Sequence, residues 1–393
     1  MESNPLFNRD FPVHSFSLSE RDRRWQLVRS LMDAAGIDIM IAPNPADSRY
    51  LTQMADDIGP AIVPVSGDVT AISNRGRAGS AAAEWVSDIR PWNRRWIAGL
   101  IDRLQELDAD RKIIGIAGLD GFMRRPDGDL NYHTLITLRE VFSHARWVGA
   151  TQLMQEARFV KSDEEIAALE RAAAGADAGL NAAVAHLAVG TSDREMWGQM
   201  ALGMMRAGAD LPRFAHLGLA PLRDIRALPI QPVGQIAEPG QILFTEIEGR
   251  FAGYAAQGVQ PAAIGPVPQD WLDAWQVCVD AWDRSWELLR PGVTFGEVSA
   301  AADAASTERF RARPTLHGQG LGDDMPLITP TSAPINRLSD RVLEPGTCFV
   351  LKPYAEWTDE NGPKALNWGD TVVITRGGAR RLGTRPHELV IRD

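Results

Sequence analysis

Glu238-Pro239-Gly240-Gln241-Ile242-Leu243-Phe244-Thr245-Glu246-Ile247-Glu248 and, further along, Glu344-Pro345-Gly346-Thr347-Cys348-Phe349-Val350-Leu351-Lys352-Pro353-Tyr354 open in the same way. In each, a Pro-Gly turn feeds a β-branched and aromatic run, the pattern of a strand. Six residues after each turn glycine the apolar run carries a charge, Glu246 in one and Lys352 in the other. Strand alternation predicts Phe244, Glu246 and Glu248 on one face, and Val350, Lys352 and Tyr354 on one face of the other. A charge in such a run is costly to bury unless it is paired or used, so this pair marks the expected site.

Outward from these strands, a longer repeat emerges. Gly190-Thr191-Ser192-Asp193-Arg194-Glu195-Met196 and Gly292-Val293-Thr294-Phe295-Gly296-Glu297-Val298 share Gly-x-Ser/Thr-x-x-Glu-apolar, each ahead of one Glu-Pro-Gly strand. Ser162 with Glu165, Ser192 with Glu195 and Thr294 with Glu297 are capping boxes that start helices. The first helix runs from Ser162 through Leu169, Ala173, Leu180 and Leu187 towards Gly190; the second carries Met196, Met200 and Met204 on one face. A third is expected over Asp270–Arg290. Two copies of helix–helix–sheet imply internal pseudo-twofold symmetry, with two sheets closing face to face around Glu246 and Lys352.

Residues 1–155 read as a smaller α/β domain and 156–393 as the repeat domain, an α+β fold overall. In the first, Ser17 caps a helix ending at Gly36, a strand covers Ile37–Ala42, and Asn44-Pro45 turns the chain towards Tyr50-Leu51-Thr52. Further strands are expected at Ala61–Pro64, Val69–Ile72 and Lys112–Ala117, with a helix over Trp96–Leu107. Arg90-Pro91-Trp92-Asn93-Arg94-Arg95-Trp96 reads either as a solvated turn with indole anchors or as a lid. As a lid, Trp92, Arg94 and Arg95 would meet a carboxylate or aromatic ligand.

The 393 residues carry Lys+Arg 41 against Asp+Glu 51, a net charge of −10, which argues against nucleic acid and anionic membrane as partners. There is no basic n-region followed by an apolar stretch at the start, and no run near the ~18 apolar residues of a membrane span. With only Cys278 and Cys348, neither a disulfide framework nor a zinc ribbon is available. The expectation is a cytoplasmic protein with a small-molecule substrate.

Lys161-Ser162-x-x-Glu165-Ile166, Gly253-Tyr254, His317-Gly318-x-Gly320-Leu321 and Glu344-Pro345-Gly346 together resemble the pita-bread domain of the creatinase/methionine-aminopeptidase/prolidase superfamily. The opening helix and Tyr50-Leu51-Thr52 resemble the N-terminal domain of its creatinases and prolidases. The resemblance implies a dinuclear metal centre of two Asp, one His and two Glu. At those positions this chain has Glu246, Gln257, His317, Lys352 and Gly369, which leads to the expectation of no metal and no cofactor. Metal-free creatinase-like relatives imply, in turn, a metal-independent enzyme hydrolysing a C–N bond of a small polar or zwitterionic metabolite. The resemblance also implies a homodimer in which the N-terminal domain covers the partner's site.

On this reading Glu246 is a general base or a clamp on substrate nitrogen, or else a buried acid held by Lys352. Lys352 meets an oxyanion or carboxylate, His317 handles the proton, and His216 is the second histidine candidate. Glu248, Tyr254, Gln257, Asp324, Tyr354, Trp368 and Asp370 are expected to line the substrate, with Tyr254 and Trp368 as walls and Asp324 and Asp370 open to plain local pairing. A lyase, a non-catalytic ligand-binding protein and, least favoured, a metal-dependent Xaa-Pro peptidase are the alternatives.

Overall fold

The computed structural model describes residues 15–54, 58–73, 84–91, 96–122, 127–128, 130–212, 214–222, 231–322, 324–328 and 338–393. The chain divides into two compact units, Met1–Ala157 and Arg158–Asp393. Among the described residues no helix is long and apolar enough to cross a membrane.

The first unit is built on a six-stranded mixed sheet of β1 (Ile39–Ala42), β2 (Ile58–Pro64), β3 (Thr70–Ser73), β4 (Asp88–Arg90), β5 (Ile113–Ile116) and β6 (Arg146–Gly149), in the order β4-β3-β2-β1-β5-β6. Helices α1 (Leu18–Ala35), α2 (Pro45–Thr52), α3 (Trp96–Glu106), α4 (Tyr132–Val141) and α5 (Thr151–Phe159) accompany it in sequence. Ser17 caps α1 and Gly36 closes it in the left-handed conformation, as the sequence predicts. Asn44-Pro45, expected as a turn, instead starts α2: the Asn44 side chain accepts from the Asp47 amide and proline takes the first helical position. Trp96 packs against the unit's core with Leu100 and Leu104. Trp92, Arg94 and Arg95 lie outside the described residues.

In the second unit, α6 (Asp163–Ala185), α7 (Asp193–Arg206), α8 (Gln269–Glu287) and α9 (Phe295–Asp303) lie against the sheets. All three expected capping boxes form, at Ser162/Glu165, Ser192/Glu195 and Thr294/Glu297. Met196, Met200 and Met204 are fully buried with Leu180, Leu217, Leu243 and Ile247. Helices α8 and α9 bury Trp271, Cys278 and Ala302 with Ala312, Ala355, Trp357 and Leu366.

The strands are β7 (Ala215–Pro221), β8 (Gln241–Phe251), β9 (Tyr254–Val259), β10 (Ala262–Ile264), β11 (Arg311–Arg313), β12 (Leu316–Gly318), β13 (Leu327–Ile328), β14 (Cys348–Leu351), β15 (Tyr354–Asp359), β16 (Gly362–Asn367), β17 (Gly369–Thr375), β18 (Gly378–Arg381) and β19 (Val390–Arg392). The two Glu-Pro-Gly strands, β8 and β14, belong to one ten-stranded sheet through β8-β9-β17-β14, not to two sheets closing face to face. The order of helix pair and strands does recur, but its halves are hydrogen-bonded into a continuous sheet. The second strand is also shorter than expected. Lys352-Pro353 interrupts it, since proline offers no ladder donor, and Tyr354 starts a separate three-stranded sheet, β11-β15-β16.

Helix α6 decides which face of the ten-stranded sheet is left for a site. A Cβ on Gly249 would overlap the Ala172 carbonyl, and one on Gly258 would lie 2.8 Å from the Leu180 side chain. These glycines let α6 lie almost on the backbone of β8 and β9. By alternation, Glu246, Glu248 and Gln257 point to the opposite face.

Candidate active site

Residues directly opposite in antiparallel strands share a face, so the register identifies the site. One row across the sheet runs His216 to Glu246, Glu246 to Val259, and Val259 to Gly369. Leu351 faces Asp370, so the next step of that register sets Lys352 against Gly369. A second row on the same face joins Glu248 to Gln257 and, through Thr371 and Val350, reaches His317. His216, Glu246, His317 and Lys352 therefore share one face.

Flat strands spaced about 4.8 Å apart would hold β8 and β14 roughly 14 Å apart, beyond the reach of two side chains. Yet the Lys352 ammonium donates to Glu246 Oε1, and both residues are buried. His317 Nε2 and Gln257 Oε1, also three strands apart, meet at 3.0 Å. The sheet is curled around these rows. Gly369 makes room for the lysine: a Cβ there would overlap the Lys352 Cβ and lie 3.0 Å from the Leu351 carbonyl.

His216 is half-buried across from Glu246, with the Phe214 ring 4.2 Å away. Burial pushes its pKa below the usual 6.5; Glu246 opposes this and Lys352 adds to it. At His317, the Gln319 amide donates to Nδ1 at 3.1 Å, while Nε2–H donates to Gln257 Oε1. Those partners match the tautomer that carries a proton on Nε2. Gln319 is absent from the expected site residues; its place two residues after a histidine on a strand is the signal that could have found it. The Tyr354 phenol is held above its ordinary pKa, by burial first and then by the Glu246 carboxylate, which sets it beside the pair.

Four expected substrate contacts are spent elsewhere. Tyr254 is an odd number of residues from Gln257, so it faces α6, where its hydroxyl donates to Glu165 at 2.7 Å. Asp370 alternates with Gly369 onto the helix side and is held by Arg381 at 2.9 Å. Burial pushes its carboxyl up against the pull of Arg385 and Arg381. Trp368 packs in a cluster with Trp282 and His387. Asp324 accepts from Arg158 at 2.9 Å and Lys161 at 3.0 Å; burial would raise its pKa, but these cations hold it down.

The five positions that would hold two metals do not suit them. The one carboxylate, Glu246, is held by an ammonium; Gln257 spends its carbonyl on His317; Gly369 offers no donor and has no room for one. Among the described residues no group of three or more His, Cys, Asp or Glu could hold a metal ion.

The sequence family described as metallopeptidase family M24 matches residues 167–376, and the creatinase/prolidase N-terminal domain matches residues 24–160. The uncharacterized peptidase YqhT of Bacillus subtilis is 26% identical over 369 residues, covering 93% of this chain and 98% of that protein. The probable dipeptidase PepE of Mycobacterium tuberculosis is 26% identical over 257 residues, 62% of this chain and 64% of the other. The solved Xaa-Pro dipeptidase from Bacillus anthracis superposes with a TM-score of 0.79 at 22% identity, covering 94% of this chain and 99% of that one. These findings correct the expectation of a metal-independent, creatinase-like enzyme of small-metabolite chemistry. The relatives carry peptidase names, the reading least favoured from the sequence. That expectation took the altered donor positions as the mark of a creatinase branch, which the similarity over the rest of the chain does not bear out.

Proposed function

Because the chain belongs to metallopeptidase family M24, we propose that it is a hydrolase cleaving the peptide bond of a short, dipeptide-sized substrate. The observation that carries this reading is the buried Glu246–Lys352 pair with His216 opposite it, on the sheet face of the M24 domain that α6 leaves open. The peptidase names of the relatives supply the bond type. This chain's own side chains handle the proton and the developing charge. Neutral His216 takes a proton from water, and Glu246 stabilises the imidazolium that forms. Lys352 stands where negative charge develops on the carbonyl oxygen. His317, fixed between Gln319 and Gln257, orients the Gln257 amide towards the substrate.

Incubation with a panel of dipeptides, Xaa-Pro included, is expected to release free amino acids. Turnover should fall steeply in His216→Ala and Glu246→Gln. A base must be neutral to act, so the rate should fall as pH drops through the His216 pKa. The acid limb of the profile should therefore lie below pH 6.5, following the lowered value of that group. No cleavage of any dipeptide would sink the proposal.

A further inference from the structure

Beside the charged pair sits a neutral group that the proposed reaction does not use. Asn367 is 1% exposed, yet both its Nδ2 and Oδ1 are without a hydrogen-bond partner among the described residues. Thr315 is 5% exposed and its Oγ1 is likewise unpartnered. Buried polar groups are nearly always hydrogen-bonded, so each of these groups asks for a missing partner.

Their placement ties them to the site. Leu366 faces the core under α8, so alternation turns Asn367 to the other face of the three-stranded sheet. There it lies in one row with Tyr354 and Arg313. Tyr354 feels the Glu246 charge, Gly369 follows Asn367 by two residues, and the Thr315 carbonyl accepts from the Lys352 amide at 3.0 Å. Both orphan groups thus flank Lys352.

We propose that Asn367, assisted by Thr315, is a binding site for a neutral carboxamide of the substrate. This rests on reading that face as the substrate site. A primary carboxamide offers one acceptor and one donor side by side, matching the Nδ2–H and Oδ1 of Asn367. A carboxylate has no donor and would leave Oδ1 unpaired. It would also bring a second negative charge beside Glu246, whose partner cation is already engaged. The site therefore selects amidated peptide ends over free acids.

Calorimetric titration with L-prolinamide and with L-proline tests this. The wild-type protein is expected to bind the amide at least about tenfold more tightly, the equivalent of one good hydrogen bond. Asn367→Leu removes both polar atoms at similar volume and should abolish the preference. Thr315→Val should weaken prolinamide binding severalfold and serves if the first variant does not fold. Equal binding of both probes, binding of neither, or a preference that survives Asn367→Leu overturns the inference. Amide preference without peptide cleavage would fail the proposed reaction alone. Cleavage of free dipeptides without amide preference would fail this inference alone.

Discussion

At the scale of single residues, Glu246 and Lys352 are legible because a charge interrupts each of two otherwise apolar strands. Asn367 is not, because a lone asparagine at a strand end carries no signal until its partners are counted. Alternation outlasts the strand at Tyr354: Pro353 sends that residue into a second sheet, yet it stays beside Glu246 and Lys352 as the pattern assigns it. The buried pair makes a test of mutual dependence. Removing one partner of such a pair costs roughly 3–5 kcal/mol, since it strands the other charge. Glu246→Gln and Lys352→Met should each lower unfolding free energy in urea, and the double variant should lose clearly less than the sum. Additivity within about 0.5 kcal/mol would mean that the two charges do not depend on each other.

At the scale of elements, the capping boxes are the most readable feature, since the Ser/Thr and Glu that form them lie three residues apart in the sequence. They are not equivalent in the fold. Glu195 and Glu297 serve their own helix ends, on the surface. Glu165 closes its box at α6 and also accepts from the buried Tyr254 hydroxyl of β9. Loss of a cap alone costs about 1 kcal/mol. Glu165→Ala should cost about 1–3 kcal/mol more than Glu195→Ala or Glu297→Ala, because a buried hydrogen bond goes with it. Denaturation curves giving equal losses for all three would show that the Tyr254 link contributes nothing. Helix α2 escapes the sequence for a local reason: Asn-Pro suits a turn and a helix start equally well, and only the packing of the next turn of chain decides between them.

At the scale of the whole molecule, order of elements and family resemblance carry the fold, because both are written along the chain. The curl that brings β8 and β14 together is not, since it sums small twists over several strands. The donor set predicts that elemental analysis will find fewer than two divalent ions per chain. Two ions per chain would mean that Gln257, Lys352 and Gly369 are not the positions that face the centre. The closeness of β14 and β17 also constrains redesign. Gln257→Asp and Lys352→Glu exchange side chains on a standing backbone. Gly369→Glu does not, because the first carbon of any side chain already meets the neighbouring strand. A two-metal site therefore cannot be grafted here by substitution alone; the two strands would first have to be moved apart.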